Sequence, residues 1–496
     1  MLERLRSFPI KIWEPAWGGL LAALLGLLLI LLPWQVGAGL VGLTAVILLI
    51  FSQPLIGLGL ALLLGPFGAL ESVVFGNPVL DSGQATLFLT LMAWIAYSLS
   101  RRQLWLPRLN LTVPLLLFIS VSTLSLFNAP SLVFGFREWL KWIEIVVIML
   151  MVVDLSQNQP LGGLRIIYLL VGALLLTGLV QAGIGIWQFG FRGNGPAHFI
   201  ILDRFYRAYG TFEQPNPFGG FMHLTGLLGL GTMLGLVTHW WQGRVWRHHG
   251  FYKHHALMMV LFVGISTGAT VLALLLSWSR GAWLSFAAGT AVLVFFWPRQ
   301  RKYGLLLLGL GGIGLLVAMQ LNLIPASILD RLISFSQDLR FGDVRGVAIN
   351  DTNYAILERL AHWQAALNMA RDNIWLGVGF GNYESAYASY ALINWPDPLG
   401  HAHNYYLNLL AEVGVLGLAS YLLLWTAVFW QTICALRTED WILRGIALGL
   451  LAAWVALAVH HLTDKLYVNN IYVHLGVMLG LLQLLSKASV QAVSGK

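Results

Sequence analysis

The chain has 496 residues, 58% hydrophobic and only 10% charged, with a mean hydropathy of +0.75. Soluble domains carry about 25% charged residues, so a soluble globular protein is excluded. The net charge of +8 would suit nucleic acid, but Lys and Arg concentrate in short loops between apolar runs, the pattern of membrane orientation. The single cysteine, Cys434, excludes a disulfide framework and a cysteine metal site.

Apolar runs of about 20 residues, the length a helix needs to cross hydrocarbon, recur along the whole chain. The alternating ten-residue segments of a transmembrane barrel do not occur. The sequence therefore predicts an all-α, polytopic helical membrane protein. Met1 to Trp13 is basic, and the apolar run Gly18 to Pro33 has no convincing small-residue cleavage site, so it reads as a first span that stays in place. About fourteen candidate spans of roughly 17 to 25 residues centre near Leu25, Ala45, Ala61, Met92, Phe118, Val147, Leu175, Leu227, Ser266, Gly289, Gly312, Leu418, Ala453 and Val477. Only Ser52-Gln53-Pro54 separates the second from the third, so about twelve or thirteen spans also fit.

Orientation follows from loop charge. With the N-terminus inside, the inner loops hold Arg4, Arg6 and Lys11, then Arg101, Arg102 and Arg108, then Arg165, Arg244, Arg247 and Lys253. Arg299, Arg301, Lys302, Arg437, Arg444, Lys487 and Lys496 continue the series. The organisation expected is a span region 1–320 with short outer loops, an outer segment 321–402 and a last group of spans 403–496. In the outer segment, Ser327 to Ser336 has the spacing of a surface-lying helix. Thr352 to Asp372 reads as an amphipathic helix with Ile356, Leu360, Trp363 and Leu367 on one face. Gly377, Gly379 and Gly381 break it. They are no dinucleotide fingerprint, because no strand precedes them.

Three elements carry costly polar groups at span ends, all on the outer side, and such groups are functional candidates. Arg207 lies in Arg204-Phe-Tyr-Arg207-Ala-Tyr-Gly210-Thr-Phe-Glu213-Gln-Pro215-Asn216-Pro217. The prolines define a rigid turn, with Asn216 placed as an N-cap for the next helix. Arg207 either clamps a phosphate, which its planar fork suits, or snorkels to lipid headgroups. Arg280, in Ser277-Trp-Ser279-Arg280-Gly281-Ala282-Trp283, stands at the tip of a very short outward excursion, which favours function over anchoring. His403, in His401-Ala-His403-Asn404-Tyr-Tyr-Leu-Asn408, sits at the mouth of a span, where a neutral imidazole can take a proton from a sugar hydroxyl. His401 and His403 as metal ligands are disfavoured, since the nearest carboxylate in sequence, Asp397, lies across a Pro-Leu-Gly turn. Glu213, Asp464, Lys465, His460 and His461 also face outward and form a second tier. His248, His249, His254 and His255 belong to an inner loop. Asp351, Glu358, Arg359, Asp372 and Glu384 read as solvated loop surface.

At these residues the chain resembles the superfamily of O-antigen ligases and O-antigen polymerases. His403-Asn404, nine residues, then Gly414, two residues and Gly417, resembles the ligase family's histidine motif. Ser279-Arg280-Gly281 resembles its arginine motif, and Arg207 with Gly210-Thr211-Phe212 and Pro215-Asn216-Pro217 resembles its upstream arginine segment. Arg359 to Trp363 and Asn373 to Phe380 resemble its large outer loop. The resemblance covers about Tyr206 to Leu418 and implies a GT-C-like fold. It further implies a transferase that moves a glycan from undecaprenyl diphosphate to an acceptor hydroxyl at the outer face of the bacterial cytoplasmic membrane. The acceptor is lipid A-core, a glycan or a protein. By carry-over, Arg280 and Arg207 hold the donor diphosphate and His403 activates the acceptor. Asn404, Arg204, Asn216, Glu213 and Arg359 complete the substrate site, with no metal, cofactor or nucleic acid. Glu213 departs from that scheme, because a carboxylate beside the clamp repels a diphosphate unless it points away or pairs with an arginine. The competing class is a transporter, which discontinuous helices with charge at mid-bilayer depth would favour. Here the polar groups cluster at span ends.

Overall fold

The computed structural model describes residues 26, 32–76, 80–101, 109–158, 163–242, 251–331, 342–350 and 353–494. The span predicted near Leu25, the basic groups at 1–25, 102–108 and 243–250, His248, His249, Asp351, Lys496 and the part of the Ser327–Ser336 helix beyond 331 lie outside them. So do the side chains of Lys253, His254 and His255. Every other predicted span coincides with a helix. These are α1 (Trp34–Ser52), α2 (Pro54–Leu64), α3 (Gly68–Phe75), α4 (Ser82–Ser100), α5 (Thr112–Ser125), α6 (Leu132–Asn158), α7 (Gly163–Gly190), α8 (Pro215–Trp241) and α9 (Phe251–Leu276). They continue with α10 (Arg280–Phe296), α11 (Arg301–Gln320), α12 (Tyr354–Asp372), α13 (Tyr383–Ala386), α14 (Tyr405–Ala435), α15 (Trp441–His460) and α16 (Ile471–Ser494). A two-residue antiparallel hairpin, β1 (Ile200–Ile201) with β2 (Phe205–Tyr206), pairs Ile200 with Tyr206. Among the described residues, nine helices are long and apolar enough to cross a membrane. The protein is an all-α polytopic membrane protein.

The chain forms two compact units, 1–58 with 87–103, and 59–86 with 104–496. In the first, Gly57 lets α2 approach Thr90 and Ile50, where a Cβ would collide. In the second, α8 and α15 pack directly backbone to backbone. Gly231 and Gly235 on α8 face Gly445 and Gly449 on α15, and a Cβ on Gly445 would stand 2.5 Å from Gly231 O and 2.7 Å from Gly235 Cα. Small residues four apart allow such approach, which lipid-embedded helices use in place of a hydrophobic drive. α10 joins the pair through Gly289, whose added Cβ would meet Ala452 O at 2.7 Å. The start of α8, the start of α10 and the end of α15 therefore come together at one end of this unit.

α14 is broken at Gly414, which has φ 64° and ψ −167°. The segment after α12 fills the break. Val378 N donates to Ala411 O and Gly379 N to Glu412 O, both at 2.9 Å, and Val415 N donates to Ile374 O at 2.8 Å. Within a membrane every freed backbone group needs such a partner. Gly377 and Gly414 both have positive φ, and a Cβ on either would overlap the facing backbone. The Gly377–Gly381 segment is thus a clasp on α14 as well as the end of α12. On α12, Leu360 and Trp363 are buried as predicted, but Leu367 is 44% exposed. Ala361, Ala365 and Met369 form the buried stripe instead, because small side chains let the helix seat close to α14.

The expectation that polar groups cluster at span ends does not hold for α6, which carries Arg137, Glu138, Lys141, Glu144 and Asp154. Glu138 Oε2 lies 2.8 Å from Lys141 Nζ and 3.1 Å from Lys465 Nζ. Pairing of this kind is what permits buried charge, and it ties the 461–470 loop to α6. Replacing Gly414 by alanine should lower the thermal midpoint in detergent, at a cost of about 1–3 kcal/mol from left-handed strain and overpacking, while insertion persists. An unchanged midpoint would contradict the clasp.

Candidate functional site

Arg207 leaves the hairpin with its backbone N–H on Phe199 O at 3.0 Å, and Ala208 N donates to Leu276 O at 2.9 Å. These bonds lay the segment across the end of α9. The half-buried guanidinium donates from Nε to Ser277 O at 2.9 Å and from Nη2 to Asn216 Oδ1 at 3.3 Å. Asn216 Oδ1 also accepts from Ser279 Oγ at 2.9 Å. Asn216 is therefore not the helix cap expected from sequence. Gln214 holds the cap position of α8, and Pro215 and Pro217 occupy the first turn, where their fixed φ suits the helix. Asn216 is left free to tie Arg207 to the turn that precedes Arg280.

That turn is tight. Trp278 has φ 52°, and Ser279 caps α10 by accepting from Ala282 N. Arg280 opens the helix, so its side chain and the positive helix end share one corner. Two further arginines arrive from the large loop. Arg331, described in helical conformation with 326–330, donates from Nη2 to Trp278 O at 3.0 Å. Arg359 comes from α12. Burial brings Arg207 down to about 9, aided by the like charges of Arg331, Arg280 and Arg359. Burial, then Arg280 and Arg359, bring Arg331 to about 10. Both stay cationic at neutral pH, and the part of the depression that comes from neighbouring guanidiniums is repulsion that a bound anion would relieve.

His403 precedes α14 in a left-handed conformation, φ 52°. Its backbone N donates to His401 Nδ1 at 3.0 Å. Asn404 caps α14, its Oδ1 accepting from Tyr406 N and Leu407 N, so its side-chain oxygen is already engaged. Both ring nitrogens of His403 are buried without a hydrogen-bond partner. The ring lies 4.5 Å from that of His401 and 5.6 Å from that of His362. Burial pushes His403 well below the usual imidazole range, and His401, Arg359 and His362 reinforce this against the opposing charge of Asp464. The ring is neutral, as a base must be. The charge of Arg359 acts on both Arg207 and His403, so it lies within electrostatic reach of the two halves of the site. The end of α15 closes the join, because Thr463 fills the space beside Gly281 and Asp464 Oδ1 lies 3.5 Å from His401 Nε2.

His401, His403 and Asp464 bring ligand atoms within 4.8 Å of one another, a set that could hold a metal ion. Sequence spacing pointed to Asp397 as the nearest carboxylate, whereas the fold delivers Asp464. The hydrogen bonding favours a different use. His401 Nδ1 accepts a backbone N–H, so in the neutral ring the proton sits on Nε2, facing Asp464. A metal on Nε2 would move that proton to Nδ1 and break the bond that holds His403.

The remaining expected residues divide. Glu213 is exposed, with its backbone in the left-handed region at φ 60°. Arg204 is exposed in the hairpin turn, 5.2 Å over the Phe205 ring. Arg359, first read as loop surface and then as substrate-binding, is half-buried and its charge reaches Arg207, Arg331 and His403. Sequence reasoning missed Arg331 and His362. The available signals were a lone cation in a short amphipathic helical stretch and a histidine on the apolar face of α12. His362 is buried, with Nδ1 2.9 Å from the Tyr383 hydroxyl.

Residues 265–422 match the family model described as O-antigen ligase, a stretch that includes Arg280, Arg331, Arg359, His403 and Gly414. The matched stretch is similar to the O-antigen ligase and polymerase superfamily. No curated protein matches the chain. Arg207 lies upstream of the matched stretch and joins the site through Ser277 and Asn216. His401, brought down to about 3 mainly by burial, and His403 should show no titration between pH 5 and 8. Histidine-selective NMR on the purified protein checks this, and a midpoint near 6.5 for either ring would contradict the packing.

Proposed function

We propose that the chain belongs to the O-antigen ligase and polymerase superfamily and is a transferase of ligase type. It moves a glycan from undecaprenyl diphosphate to an acceptor hydroxyl at the outer face of the bacterial cytoplasmic membrane. The observation that carries the reading is the meeting of four guanidiniums with one neutral, unpartnered imidazole. Arg207, Arg280, Arg331 and Arg359 seat the donor diphosphate, where fixed cations stabilise the charge that grows as the sugar C1–oxygen bond breaks. His403 takes the proton of the acceptor hydroxyl as its oxygen bonds to C1, and undecaprenyl diphosphate departs. The bound diphosphate offsets Arg359 and its neighbours, which raises the affinity of His403 for a proton at the moment it is needed. With this much fixed positive charge, no metal is required of the site.

Ligase chemistry is favoured because the His403–Asn404 to Gly414–Gly417 pattern follows that branch. Polymerisation or protein glycosylation would use the same groups on a different acceptor. The break at Gly414 supports catalysis better than transport, because loop N–H groups take the freed carbonyls rather than a translocated ion.

Arg280→Lys keeps the charge but loses the fork, so transfer from purified lipid-linked glycan should fall about 10–100-fold while insertion persists. His403→Ala should cost ~10²–10⁴-fold. Full transfer by both Arg280→Ala and His403→Ala would overturn the assignment. Wild-type transfer should persist in EDTA, whereas loss restored by a divalent ion would assign His401, His403 and Asp464 to metal. A deletion strain separates the acceptors: free long polymer indicates a ligase, single lipid-linked repeats a polymerase, and unchanged surface glycan a carrier.

A further inference from the structure

The end of α15 carries a histidine that the mechanism above leaves unused. His460 is 1% exposed. Its Nδ1 lies 3.0 Å from Nε2 of His223, a fully buried residue of α8. Its Nε2 is buried with no hydrogen-bond partner. That nitrogen stands 3.9 Å from the position a Cβ on Gly281 would take, beside the first turn of α10. α10 runs 17 residues, long enough for its N-terminal N–H groups and dipole to favour an anion. Two independent features thus point into one corner. A helix start favours negative charge, and a buried ring nitrogen, costly to leave unpaired, faces it.

The tautomer follows from the pair. If His460 Nε2 carries the proton, its Nδ1 accepts from His223 Nε2–H, and the lone pair of the couple is left at His223 Nδ1. That atom is likewise buried without a partner. The opposite arrangement would aim a lone pair at the seat of the anion. We infer that His460 is a phosphate-binding residue, its Nε2–H donating to an oxygen of the diphosphate seated at the start of α10, with His223 holding the proton on that nitrogen. Gly281 fits the same purpose, since any side chain there would collide with Thr463 and push the 460–464 segment away.

This inference rests on the diphosphate seat proposed above. Titration calorimetry of the purified full chain with inorganic diphosphate tests it. His460→Ala should weaken binding about tenfold or more. His460→Gln, whose amide nitrogen reaches the place of Nε2, should recover most of the loss, whereas His460→Asn should not. A merely structural role would weaken all three variants in step with their thermal midpoints. Binding by His460→Ala equal to wild type, or equal weakening in the Gln and Asn variants, overturns the inference. If His460→Ala does not fold, the Gln and Asn pair alone decides. Weakening by Arg280→Ala with none by His460→Ala removes only this inference, while a wild-type chain that binds no diphosphate removes the seat as well.

Discussion

The glycine contact between α8 and α15 is the constraint on which the site depends. Gly231 and Gly235 against Gly445 and Gly449 bring two backbones together inside a medium that offers no hydrophobic reward for doing so. Because these helices run in opposite senses, the start of one and the end of the other meet at the same level. Asn216 and Arg207 sit above the first, and His460 through Asp464 above the second. Larger side chains at the contact would separate these groups even though none of them lies near it.

The large loop does more than cover the bundle. It contributes Arg331 and Arg359 and enters the break in α14, so the same segment supplies both charge and backbone donors. The helix break and the left-handed His403 belong to one device. Asn404 caps α14, His401 holds the peptide of His403, and Asp464 faces His401 from the next connection. Residues that aim the imidazole are thereby anchored to elements on both sides of it.

Much of this was legible in the sequence. Apolar runs of spanning length gave the helices, because a membrane imposes one length and one kind of backbone satisfaction on every crossing. Arg207, Arg280 and His403 stood out because each is a polar group at a span end. What was hidden depends on tertiary contact. Arg331 did not stand out because its approach to Trp278 spans 53 residues. Asn216 looked like a cap because its neighbours are prolines, and only the fold shows its side chain reaching sideways. Glu213 looked obstructive, and the sequence could not show that its side chain is left in solvent. The charges of α6 are concealed in the same way, since Lys465, the partner of Glu138, lies more than three hundred residues downstream.

The four crowded guanidiniums also bear on how a reaction cycle would end. A donor diphosphate esterified at both ends carries two negative charges, and cutting the sugar bond exposes a terminal phosphate able to carry a third. A cluster whose own repulsion is relieved by anions would grip the spent carrier more firmly than the loaded one. Under the proposed chemistry, escape of the lipid remnant rather than bond-making would then set the pace. An enzyme that trims that remnant to a monophosphate would quicken the whole cycle without touching this protein.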